Sequence, residues 1–145
     1  MSREIKFRAW DKTYNFMSYK VLVGNTDTTD ENYTAHCIWV DPEKVDYKRE
    51  PGWMNFDELS DVVLMQYTGL KDKNGKEIFE GDILTDHGDE GPLYIEYSTV
   101  HAAFVFVDKF DPSGTTVYTT TCISYGGFEI IGNIYENPEL LEATA

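Results

Sequence analysis

Hydrophobic and polar residues alternate with a period of two along much of this chain. Glu4 to Trp10 puts Ile5, Phe7 and Ala9 on one face and Lys6, Arg8 and Trp10 on the other, the pattern of a half-exposed strand. Asp11-Lys12-Thr13 begins a turn, and Phe16 to Val23 reads as the second strand. Ala35 to Val40 is a short strand carrying Cys37 and Trp39, and Val62 to Thr68 is rich in β-branched and aromatic residues. Leu93 to Tyr97, His101 to Val107, Thr115 to Tyr125 and Phe128 to Tyr135 follow as further strands, with turns at Pro112-Ser113-Gly114 and Gly126-Gly127. The segments Gly24–Thr34, Asp41–Gly52 and Thr85–Pro92 are polar and aperiodic, hence loops. Helix is expected in two places only. Trp53 to Leu59 offers one or two turns, and Asn137 stands as an N-cap before Pro138 at the first helical position.

The strongest local signal is Leu64 to Leu84, LMQYTGLKDKNGKEIFEGDIL. Asn74-Gly75 sits between apolar runs and tolerates the positive φ that a type I′ or related tight turn needs, so a hairpin is predicted there. Gly81 interrupts the return arm, where a bulge or sharp bend lets the chain leave one sheet for another. The predicted fold is mainly β: antiparallel strands, an SH3-like small barrel in the second half that starts at this hairpin, extra N-terminal strands, and one or two short helices. Length fits one domain, 1–145, with 1–60 and 61–145 as subdomains.

Charge narrows the partners. The net charge is −14, and it is uneven. Met1 to Ser60 carries eight Lys/Arg against eleven Asp/Glu, while Asp61 to Ala145 carries four against fifteen. Phosphate neutralisation needs clustered cations, so direct nucleic-acid binding and attachment to an anionic membrane are both disfavoured. The second half can instead steer the protein toward a basic partner, and imitation of DNA by spaced carboxylates is a special case of that idea. No run of 18 apolar residues or signal-peptide core is seen, so a cytosolic location is expected. Cys37 and Cys122 lack CxxC spacing and are read as reduced thiols in preference to a disulfide.

Candidate chemistry is sparse. Glu80, Asp82, Asp86, His87, Asp89 and Glu90 gather six ligand-type side chains in eleven residues, and a metal-dependent hydrolase would use two or three such groups. Their spacing matches no named metal loop, so Glu80, Asp82 and Asp86 are weak metal candidates and the stretch reads first as a solvated acidic loop. His36, His87 and His101 are scattered, nothing pairs them with a cysteine nucleophile, and no phosphate-binding glycine loop is present, so neither a catalytic residue nor a cofactor is assigned. Arg8, Trp10 and Asp11 are the binding candidates. An indole and a guanidinium on one strand face near a turn can present a contact patch, although the face is more simply read as covered by a second layer or a subunit.

Three blocks together resemble the YopX family of phage and prophage proteins: REIKFRAWDK (Arg3 to Lys12), the central LMQYTGLKDKNGKEIFEGDIL, and EIIGNIYENPELL (Glu129 to Leu141). The resemblance implies a mobile-element context and a mainly β fold. It implies no active site. The expected function is therefore a non-catalytic protein-interaction module, binding itself as a homo-oligomer and a basic host or phage protein.

Overall fold

The computed structural model describes residues 4–25, 36–41, 52–55, 62–88, 91–109, 117–118 and 127–142. Among the described residues there are twelve strands: β1 (Phe7–Asp11), β2 (Phe16–Ser18), β3 (Lys20–Asn25), β4 (His36–Asp41), β5 (Gly52–Asn55), β6 (Val62–Lys71), β7 (Glu77–Phe79), β8 (Asp82–Thr85), β9 (Leu93–Ser98), β10 (Ala103–Asp108), β11 (Val117–Tyr118) and β12 (Glu129–Asn133). Every ladder among them is antiparallel. The single helical element among the described residues is a 3-10 turn, Pro138–Leu141. Residues 53–55, the start of the expected helical turn Trp53–Leu59, belong to β5 instead: Trp53 pairs with Trp39, and cross-strand pairing outweighs weak local helix propensity. The rest of that expected helix, the loops between β3 and β5, most of the Thr115–Tyr125 strand and Cys122 lie outside the described residues.

The chain divides into two compact units, residues 5–66 and residues 67–145 with 1–4. In the first, β2, β1 and the start of β6 run side by side, and Ala9, Phe16 and Val62 form the buried cluster with Val21 and Leu64 against it. A three-stranded sheet, β3-β4-β5, completes it. Ile5 precedes β1 and is exposed, whereas Arg8 to Asp11 are all buried, so the alternation read from the sequence understates how far this strand is covered on both faces.

In the second unit a five-stranded sheet, β11-β10-β9-β8-β12, curls as a half-barrel over Ile78, Leu84, Leu93, Ile95 and Phe106, with Leu70, Phe104, Phe128 and Ile130 packed around them. Burying five such side chains contributes on the order of 10 kcal/mol before chain entropy is subtracted. Gly81, at φ 85°, makes the bend between β7 and β8, which belong to different sheets, as expected from its place in the sequence. Its N–H donates to the Ile95 carbonyl (2.9 Å) and its own carbonyl accepts the Ile134 N–H (2.9 Å), so one residue ties three segments together. A bulge in β6, with Gly69 at φ 88°, lets Thr68 Oγ1 donate to the Ile78 carbonyl at 2.8 Å and accept the Leu70 N–H.

Candidate functional site

Each block that gives the sequence its character is built around one buried Asp or Asn. Asp11 closes β1, and its Oδ1 accepts the N–H groups of Thr13 (2.8 Å) and Tyr14 (3.0 Å), folding the turn into β2. Asp72 directly follows β6, and its Oδ1 accepts the N–H groups of Asn74 and Lys76, both at 2.9 Å. Asn133 ends β12, and its Oδ1 accepts those of Tyr135 (3.0 Å) and Glu136 (2.8 Å). All three residues are buried. The short Asx side chain satisfies two turn amides that have no strand partner, which is why Asp and Asn, rather than Glu and Gln, occupy these positions.

Asp72 does more. Its second oxygen accepts the Ile130 N–H at 3.1 Å, and the neighbouring Lys73 N–H donates to the Phe128 carbonyl at 3.0 Å. The turn between β6 and β7 thus takes the place of a strand along the start of β12. Burial alone would raise the Asp72 carboxyl; the amide hydrogen bonds from Ile130, Lys76 and Asn74, with the Lys76 charge, outweigh it and hold the group below its ordinary value. The turn is a three-residue loop in which positive φ falls on Gly75 (81°), with the Gly75 N–H donating to the Asp72 carbonyl and the Asp72 N–H to that of Lys76.

Arg8, Trp10 and Asp11 belong to the first unit and are buried. Arg8 Nη1 donates to the Tyr19 hydroxyl at 3.5 Å, and the guanidinium carbon lies 5.9 Å from the Tyr19 ring centre. Tyr19 is exposed, so it is the tyrosine, not the arginine, that meets solvent here.

The carboxylates considered for metal binding take separate local roles. Asp82 is buried and its Oδ2 accepts the Phe79 N–H at 2.8 Å, bracing the Gly81 bend. Asp86 Oδ1 accepts the Gly88 N–H at 2.8 Å in an exposed turn. Glu80 is half-buried immediately before the Gly81 bend, and residues 89 and 90 lie outside the described residues. Among the described residues, no three His, Cys, Asp or Glu side chains converge as metal ligands.

Two histidines make side-chain contacts in exposed turns. His87, at φ 61°, brings Nε2 to 2.7 Å from Glu129 Oε2, which also lies 3.5 Å from Lys73 Nζ. The hydrogen bond with His87, opposed by desolvation and aided by Lys73, holds the Glu129 carboxyl below its ordinary value. His101 does not open β10 as expected; it lies in the β9–β10 turn, with Nδ1 2.8 Å from Ser98 Oγ. No helix among the described residues is long and apolar enough to cross a membrane.

Residues 6–142 match the family described as YopX protein. Among solved structures, protein EF1440 from Enterococcus faecalis is 35% identical, the match covering 97% of this chain and 100% of that one with a TM-score of 0.65. Protein yopX from Bacillus subtilis is 21% identical over 99% of this chain and 100% of that one, with a TM-score of 0.52, a likeness of fold. A search of curated proteins returned no match.

Proposed function

This chain belongs to the YopX family, and we propose that it acts without chemistry of its own, as a phage or prophage accessory protein that binds another protein in the bacterial cytosol. The observation that carries this reading is where the signature residues spend their polar atoms. Asp11, Asp72, Asp82, Asn133 and Asn137 each accept hydrogen bonds from backbone amides nearby. Such groups build a shape; they do not face a shared reaction space. Function is then left to the surfaces the clamps position. Fifteen acidic residues against four basic ones after Ser60 favour a basic host or phage protein as partner, and self-association remains part of the proposal.

The test is affinity capture from host lysate with chemical cross-linking at low and high salt, alongside light scattering of the purified chain. Reproducible enrichment of basic proteins that weakens with salt supports the reading. A monomer that enriches nothing contradicts it, as does metal-dependent turnover of a phosphodiester that is lost on Asp82→Asn.

A further inference from the structure

We infer that the turn joining β9 and β10 is a docking knob for a protein whose apolar pocket is rimmed by basic side chains; this rests on the protein-binding reading above and names its surface. Val100, at the tip of the turn, is 89% exposed, the most exposed large hydrophobic residue among those described. The turn is held in place rather than left loose. Ser98 Oγ lies 2.8 Å from His101 Nδ1 and accepts the His101 N–H at 3.2 Å, and Ala102 adopts φ 50°, a conformation that costs a residue with a Cβ roughly 1–2 kcal/mol. Beneath the tip, Tyr97 is also exposed, and its ring meets Phe104 edge-on at 5.4 Å. Phe104 in turn packs on the buried cluster. The apolar surface is therefore anchored directly to the core, which lowers the ordering cost of binding through it.

Strand register fixes which charges stand near the knob. Residues 67–145 contain four lysines and no arginine. Lys73 donates its N–H to Phe128, just before β12, and Lys71 and Lys76 flank the same turn. Lys109 follows Asp108, which pairs with Leu93; Leu93 pairs with Leu84, and Leu84 with Ile130. All four lysines thus belong to the end of the sheet where β12 begins. The knob is at the other end: Gly81 donates to the Ile95 carbonyl and accepts from Ile134 just after β12, and β9 runs on from Ile95 through Glu96 to the turn. Glu80, Glu96 and Glu136 belong to this end. An apolar tip at the carboxylate-bearing end of a sheet whose four lysines all belong to the opposite end is complementary to an apolar pocket in a cationic rim.

The probes are two peptides of equal positive charge, one alternating lysine with leucine and one lysine with serine, titrated into the full chain at low and high salt. The lysine–leucine peptide is expected to bind and to shift the amide resonances of residues 97–101. Val100→Asp should weaken it by about tenfold or more, the equivalent of losing one buried aliphatic side chain. The added carboxylate would strengthen a purely electrostatic contact, so the loss isolates the apolar part. Val100→Leu should restore binding, and an unchanged urea midpoint in all variants shows that the fold is intact. Binding that Val100→Asp leaves untouched, or shifts confined to residues elsewhere, overturns the knob while the protein-binding reading stands. A wild type that ignores both peptides overturns it too, and the capture experiment then decides independently whether a basic partner exists.

Discussion

A Cβ placed on Gly132 would stand 2.5 Å from Oδ1 of Asn137 and 2.9 Å from its Cβ, so the two residues are fitted to each other across the turn that ends β12. The glycine is required by space, not by backbone angle. Asn137 uses that space to accept the Asn133 N–H at 3.2 Å, which turns its side chain away from the 3-10 helix it precedes; no side-chain cap forms there. Gly132→Ala should therefore cost about 1–3 kcal/mol in urea unfolding, the usual range for forcing an added methyl into a packed site. With Asn137→Gly in the background most of that cost should vanish. Strictly additive costs would mean the contact is not the reason for the glycine.

Gly69 is the opposite case. Nothing lies within 4 Å of a Cβ built there, yet its φ of 88° is one that L residues resist. Substitutions should rank by backbone preference alone: asparagine least damaging, alanine costing about 1–2 kcal/mol, and valine more. Chemical denaturation of the three variants checks the order.

For Asp82 the expected effect is on stability. Its carboxylate holds the Phe79 N–H inside the bend, so Asp82→Ala should lose about 1–3 kcal/mol, the cost of stranding a buried amide. Thermal melts in Mg²⁺, Mn²⁺, Ca²⁺ and EDTA should show the same loss. A deficit that appears only with a divalent ion present would assign the residue to a metal.

The His87 contact with Glu129 is short but exposed, and pairs of that kind are worth little in water. His87→Ala should lower the melting temperature by no more than about 2–4 °C at neutral pH. Differential scanning calorimetry at two salt concentrations would check this, and a larger shift would give the contact a role beyond the surface.

The sequence carries the strands well, and the reason is visible in particular residues. Ile83, Leu93, Ile95 and Phe106 are buried where the apolar runs place them, and Asn74-Gly75 and Gly81 mark the turn and bend because each needs a residue tolerant of positive φ. What local pattern does not carry is long-range. Asp72 reads as one more polar residue in a lysine-rich turn, yet one of its oxygens is spent on Ile130, 58 residues away. The closeness of Gly132 to Asn137 likewise exists only once the chain has turned. Arg8 and Trp10 lie on the polar-alternating face of β1 and are buried, in keeping with the reading that this face is covered, but local pattern does not say by what. His101 shows an error of local reading: an apolar run beginning at a polar residue looks like a strand start, while the Ser98 hydroxyl and the left-handed Ala102 make it the turn.

The most direct test of the view that the signature residues are backbone clamps is urea unfolding of Asp72→Asn against the wild type from pH 7 down to pH 3. Asparagine keeps an oxygen for Asn74 and Lys76 but sets an NH₂ against the Ile130 N–H, so a loss of about 1–3 kcal/mol is expected at pH 7. Because the folded carboxyl is held below its ordinary value, its contribution is complete above the unfolded pKa of about 3.9 and is lost as pH falls through the lower folded one. The difference between the two proteins should stay constant from neutral pH to about 5 and then shrink. Equal stability at pH 7, together with lost binding to a captured partner, would contradict the account and make Asp72 a contact residue instead of a clamp.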